Sequence, residues 1–97
     1  MKVIWHPLAE TELNEAANHL LEQDQPGLAR RLILEAQRSV AMLSEVPGGG
    51  RLLRAGIRSW HLRVFRYSLI YRVGIDHVRI LAVAHDRRRP YYWESRG

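Results

Sequence analysis

The sequence predicts an α+β domain: an N-terminal strand, a helix hairpin, then an antiparallel, twisted sheet of three to four strands. Three observations carry this. Apolar residues recur at helical spacing between positions 7 and 44, and beyond position 50 the period changes to two. Between the two regimes stands Pro47-Gly48-Gly49-Gly50, a run that fits inside no regular element. Strands that follow a block of helices, rather than alternating with them, place the helices on one face of an antiparallel sheet.

Residues 1–5 read as a strand, stopped by His6-Pro7. Pro7 suits the first position of a helix, where its missing N–H would have been unpaired anyway. A helix over 7–22 has Leu8, Leu13, Ala16, Ala17, Leu20 and Leu21 as its apolar stripe, with Glu10, Glu12, Glu15 and Asn18 outside it. Its early acids suit the positive end of the helix dipole. At the break over 23–27, Asp24 or Gln25 is the expected cap and Pro26 the next helix start. The second helix, 26–44, has Leu28, Leu32, Ile33, Ala36, Val40 and Leu43 as its buried side.

The sheet is expected over 51–84. Residues 51–54 read as a short edge strand. In 57–65, Trp60, Leu62 and Val64 point one way and Ser59, His61 and Arg63 the other. In 67–73, Tyr67, Leu69, Tyr71 and Val73 oppose Ser68, Ile70 and Arg72, and Arg66 between these strands reads as a tight hairpin turn. A turn at 74–77 leads to a strand over 78–84. The helices cover one face. The other presents Ser59, His61, Arg63, Ser68 and Arg72, flanked by a basic and aromatic tail over 85–97. Such a face is either a binding surface or the ordinary wetted side of an antiparallel sheet, and periodicity alone leaves both open.

Composition narrows the function. Ninety-seven residues suffice for one domain with its own core, expected over 1–97. The absence of cysteine removes disulfides, thiol nucleophiles and zinc-thiolate sites, and fits a reducing cytoplasm, the expected location. No window approaches the ~20 apolar residues of a membrane span, and the N-terminal residues lack a signal peptide's apolar run. The charge is split. Residues 1–50 carry four bases against seven acids, whereas residues 51–97 carry eleven arginines against Asp76, Asp86 and Glu94. Lys2 is the sole lysine. Arginine forks pair bidentately with phosphate or carboxylate, so this half is suited to acidic partners.

The tail His85-Asp86-Arg87-Arg88-Arg89-Pro90-Tyr91-Tyr92-Trp93 concentrates that character. Either Arg87, Arg88, Arg89, Tyr91, Tyr92 and Trp93 form a contact surface with Arg63 and Arg72, or Trp93 folds back as a lid on the core. Trp60 and Trp93 are read as core and lid, and Tyr67 and Tyr71 as packing residues with hydroxyls at the edge. His6, His19, His61, His77 and His85 lack metal-ligand spacing, so no metal or cofactor is expected. No nucleotide-binding glycine pattern, serine-nucleophile motif or carboxylate pair stands in the basic half. Arg, His and Tyr remain, the set with which RNA can be cleaved without metal.

The order of elements, with Phe65-Arg66-Tyr67-Ser68-Leu69-Ile70-Tyr71-Arg72-Val73 and then Ile80-Leu81-Ala82-Val83-Ala84-His85-Asp86-Arg87-Arg88-Arg89-Pro90, resembles the RelE/ParE toxin superfamily along essentially the whole chain. The resemblance implies a small toxin of a type II toxin–antitoxin pair, neutralised by a cognate antitoxin. RelE-like members cut mRNA on the ribosome with basic sheet residues and a C-terminal tyrosine. Their lysine positions fall near Ser59 and His61, their strand arginine at Ser68 and their tyrosine at Tyr92, while Arg87 or Arg88 replaces the tail arginine in a shifted register. Most of that set is substituted. ParE-like members inhibit DNA gyrase, and the His85–Pro90 ending looks more like theirs. A gyrase inhibitor is therefore the favoured reading. The alternatives are a ribosome-dependent endoribonuclease using His61, Arg63, His85, Arg87 and Tyr92, or a plain nucleic-acid-binding module.

Overall fold

The computed structural model describes residues 1–63 and 66–97. Strand β1 (Lys2–Trp5) leads into helices α1 (Pro7–Glu22) and α2 (Pro26–Glu45), then a 3-10 turn at Pro47–Gly49. Strands β2 (Arg51–Leu52), β3 (Ile57–His61), β4 (Tyr67–Val73) and β5 (His77–His85) follow, and a second 3-10 turn, Glu94–Arg96, lies in the tail. The five strands form one sheet in the order β1-β5-β4-β3-β2. The later four are antiparallel, and β1 adds to β5 in parallel, with Trp5 opposite Ile80.

Both helices begin at proline. At α1 the cap is His6, whose Nδ1 accepts the Leu8 N–H at 3.0 Å. At α2 the cap position is Gln25 without a side-chain bond, and Asp24 holds the left-handed turn between the helices at φ 58°. Helices and sheet enclose the principal core, built on Leu13, Leu32, Leu43, Leu62, Leu69, Tyr71, Val78, Ile80 and Val83. Trp60 packs at its margin.

Several expectations need correcting. Leu8 and Leu21 are exposed, and Ala9 is the fully buried residue of the first turn of α1. A helix lying close on a sheet meets it through small residues, so leucines one position off the stripe stay in solvent. Glu12, expected outside the stripe, is turned inward with only 12% of its side chain exposed. Strand β3 ends at His61 rather than continuing to 65, and the hairpin closes with the Leu62 N–H donating to the Tyr67 carbonyl at 2.9 Å. The connection is therefore longer than a turn at Arg66 alone. The inward placement expected for Val64 lies outside the described residues.

The outer face departs furthest from a uniformly polar surface. In β5 the register slips between Ile70 and Tyr71: Ile70 faces Ala82 while Tyr71 faces Ile80. Leu81 is the extra residue of a β-bulge. Leu81 and Ala82 thus both join a second apolar cluster with Ile57, Ile70 and Trp93. The tail covers this half of the face, and Trp93 is 4% exposed. Trp93 is thus folded back as a lid on this second core.

Candidate functional site: a basic groove on the outer sheet face

Beyond the apolar half, the outer face opens into a groove with two lobes. The smaller, about 270 Å³, runs between the sheet and the tail; the larger, about 690 Å³, reaches past the end of β3. Arg51, Ser59, Ser68 and Asp86 border both. Alternation makes the floor: Ser59, His61 and Ser68 project outward because Arg58, Trp60, Leu69 and Tyr71 are needed on the other side. His61 pairs with Ser68 across the strands, and the His61 Nδ1 shares a hydrogen bond with the Ser68 hydroxyl at 3.3 Å. Arg63 lines the larger lobe; Arg88 and Arg89 line the smaller. Four arginines face one carboxylate there, and among the described residues Asp86 is in no ion pair.

The tail forming one wall is fastened by a single carboxylate. Strand β1 accompanies β5 only to Ile80, leaving the next backbone groups of β5 without a strand neighbour on that side. Glu12 of α1 fills the gap. Its Oε1 accepts the Val83 N–H at 3.0 Å and Arg96 Nη1 at 2.8 Å, while Arg96 Nη1 also donates to the Leu81 carbonyl at 3.1 Å. Its Oε2 accepts the Tyr92 hydroxyl at 2.7 Å and Arg96 Nη2 at 3.2 Å. The Glu12–Arg96 pair thus stands in for a sheet partner, and both charges, nearly buried, have their hydrogen bonds satisfied. Burial, then the hydrogen bond to Glu12 and its negative charge, push the Tyr92 phenol far above its usual range.

Other tail residues are also engaged. Arg88 lies over the Tyr92 ring at 4.1 Å, Arg54 over Tyr91 at 3.6 Å, and Tyr91 packs edge-on to Trp93 at 5.4 Å. Arg54 also pairs with Glu94 at 2.8 Å. His85 sits edge-on to Tyr67 at 4.9 Å, and its Nδ1 accepts the Arg87 N–H at 3.0 Å. Arg87 is exposed and borders neither lobe.

The groove therefore gathers His61, Arg63, Arg88 and Arg89 around Ser59 and Ser68. Arg72, expected beside them, instead donates to the Ala55 carbonyl in the turn before β3, where Ala55 and Gly56 adopt φ of 54° and 76°. His85, Tyr91, Tyr92 and Trp93 also line the smaller lobe, where Trp93 is 4% exposed and the Tyr92 hydroxyl is committed to Glu12. Sequence reasoning missed Arg51, which only the β2–β3 register opposite Ser59 brings into place, and it missed Glu12 and Arg96. An acid on the apolar side of α1 and an arginine in the tail carry no local sign that they will meet. Among the described residues no cluster of ligands able to hold a metal occurs, and no helix is long and apolar enough to cross a membrane.

A five-stranded mixed sheet with a helix hairpin on one face and a strapped basic tail on the other can be compared with known proteins. Residues 3–90 match the family described as ParE toxin of type II toxin-antitoxin system, parDE. The chain belongs to the ParE toxin family. A solved structure described as the chromosomal ParDE TA system from P. aeruginosa shares the fold, with a TM-score of 0.77 over 88% of this chain and 95% of that one. Identity to it is 22%, so the likeness is one of fold. No curated protein matches the sequence. Within the RelE/ParE superfamily expected from the sequence, the ParE branch is the one that matches.

Proposed function

We propose that this ParE-family toxin arrests bacterial growth by inhibiting DNA gyrase without cutting nucleic acid, and that a cognate antitoxin holds it inactive in the cytoplasm. The observation that carries the reading is the state of Tyr92. In a ribonuclease of the RelE kind a tail tyrosine would serve the chemistry. Here the Tyr92 phenol donates to Glu12, with its deprotonation opposed by burial and by that same carboxylate. The groove floor adds to this, since Ser59 and Ser68 stand where the nuclease branch would place cations. Each missing transition-state donor costs about 3 kcal/mol, roughly a hundredfold in rate.

One observation favours the ribonuclease alternative: the His61–Ser68 hydrogen bond lies on the floor of a basic groove, where an imidazole is able to act as acid or base. Two assays with the purified protein separate the readings, gyrase supercoiling and translation in a cell-free extract. The expected result is loss of supercoiling with intact mRNA. Ribosome-dependent cleavage of mRNA that disappears in His61→Ala, with supercoiling untouched, overturns the inhibitor reading. Antitoxin neutralisation is tested by co-expression: growth arrest by the chain alone, relieved by the adjacent small gene, is the expected outcome.

A further inference from the structure

We infer that the outer-face groove is a binding site for the phosphodiester backbone of nucleic acid, gripped by Arg51, Arg63, Arg88 and Arg89 over a floor of Ser59 and Ser68. The groove stands on its own geometry; only its role in gyrase inhibition rests on the reading above.

The lining argues for phosphate rather than for an acidic protein segment. Protein interfaces need a desolvated apolar or aromatic anchor at their centre, surrounded by a polar rim. The larger lobe offers Trp60 alone as a large apolar group, with its ring packed against the core, and its remaining side chains are Arg, His, Ser and Asp. The smaller lobe is lined by Leu53, Ile70, Tyr91, Tyr92 and Trp93 too, but Ile70 and Trp93 are buried in the second core, Leu53 packs against it, and each tyrosine ring carries an arginine. Nucleic-acid interfaces have the opposite character, polar and strongly positive, with most hydrogen bonds going to phosphate oxygens. Short serine side chains on the floor leave room for a phosphate to reach the sheet, and their hydroxyls are donors to it. The arginines at the rim reach inward from β2, from the end of β3 and from the tail, three separate segments whose cations the sheet register and the Glu12 strap bring to one place.

The same geometry decides the mode of contact. Base recognition on single strands uses open aromatic faces. Tyr91 carries Arg54 on its ring, Tyr92 carries Arg88, and Trp93 is buried. The tail rings are therefore already engaged by arginines or by the core, and the groove reads backbone charge without sequence preference. On the inhibitor reading, the toxin engages gyrase where DNA is already bound to it, with the groove on the DNA.

Fluorescence anisotropy of the full chain with labelled duplex DNA, single-stranded DNA and single-stranded RNA, each across a salt series, tests the site without gyrase. The expected result is binding to at least one probe that weakens with salt, with a log–log slope of about −0.9 per phosphate neutralised on the duplex. Arg51→Ala and Arg89→Ala each lower the slope by about one, and Ser68→Asp abolishes binding. Arg30→Ala and Arg31→Ala, on α2 across the sheet, leave binding unchanged. Arg51 and Arg89 are exposed, so those variants fold whether or not Ser68→Asp does. The inference is overturned by the absence of binding at the lowest salt, or by equal losses at Arg30 and Arg51. It is also overturned if poly-glutamate displaces the probe as well as unlabelled DNA of equal charge, which makes the groove a seat for an acidic protein. Binding with the expected variant pattern, beside unimpaired supercoiling, keeps the groove and overturns the gyrase reading alone.

Discussion

Glu12 is the residue on which most of the tail depends. Replacing it with Ala leaves the Arg96 guanidinium, 11% exposed, without a counter-charge, and leaves the Val83 N–H and the Tyr92 hydroxyl without an acceptor. Breaking a buried pair from one side costs about 3 kcal/mol, so Glu12→Ala should lower the urea midpoint substantially. Tyr92→Phe removes one hydrogen bond to a charged acceptor and should cost about 2 kcal/mol. The same residue imposes a pH dependence. The folded chain keeps the Tyr92 proton where the unfolded chain, with a phenol titrating near its ordinary value of about 10, gives it up. This stability is complete below about pH 10 and is lost as pH rises from there toward the elevated folded value. Denaturant titrations on the alkaline side should show the decline, and Tyr92→Phe should shallow it. Burial also raises Tyr67 and Tyr71, so a residual slope is expected in that variant.

At the scale of elements, the Pro-Gly-Gly-Gly run is a fitted part rather than a slack linker. The Tyr71 hydroxyl donates to the Pro47 carbonyl at 2.7 Å and accepts the Gly50 N–H at 2.8 Å. A methyl group on Gly50 would stand 2.6 Å from that hydroxyl and 2.9 Å from the Ser59 carbonyl oxygen. Gly50→Ala should therefore cost about 2 kcal/mol, the scale of an overpacked core. A thermal melt reads this, and Gly48→Ala, with nothing near its new methyl, serves as the control. The sequence located the elements well where a residue type carries a local instruction: Pro7 and Pro26 open the helices, and the period of two orients Ser59, Ser68 and Tyr71 correctly. It failed where the cause is distant. The bulge at Leu81 belongs to the pairing of β5 with β4, and the burial of Glu12 depends on a tail some eighty positions away in the chain. The groove's serines and His61 were legible from alternation; its Arg51 wall and its fastening were not.

At the scale of the whole molecule, the tail is part of the fold. Deleting it from Arg87 onward would remove Trp93 from the second core and Arg96 and Tyr92 from Glu12. Trp93→Ala alone should cost about 4 kcal/mol, measurable by denaturant unfolding. Loss of toxicity on truncation would consequently report unfolding as much as loss of contact. Single substitutions at exposed Arg87 and Arg89, made with stability unchanged, are the informative way to ask whether the tail touches a target.

The sheet order also governs when the molecule can come into being. Strand β5 is an interior strand: β1 pairs only with it, β4 lies against its other edge, and the Glu12 strap closes over it. A chain synthesised from its N-terminus makes β1, both helices and β2 through β4 before residues 77–85 exist. Until then β1 has no strand to join, and the principal core lacks Val78, Ile80 and Val83. Contacts of such long sequence separation form slowly because the intervening chain must close first. Fragments ending before His77 should accordingly show no cooperative unfolding transition, while the full chain shows one. On the proposed function, which needs the folded groove and its tail, the chain has nothing to act with until the last strand emerges, and an antitoxin has until then to be in place.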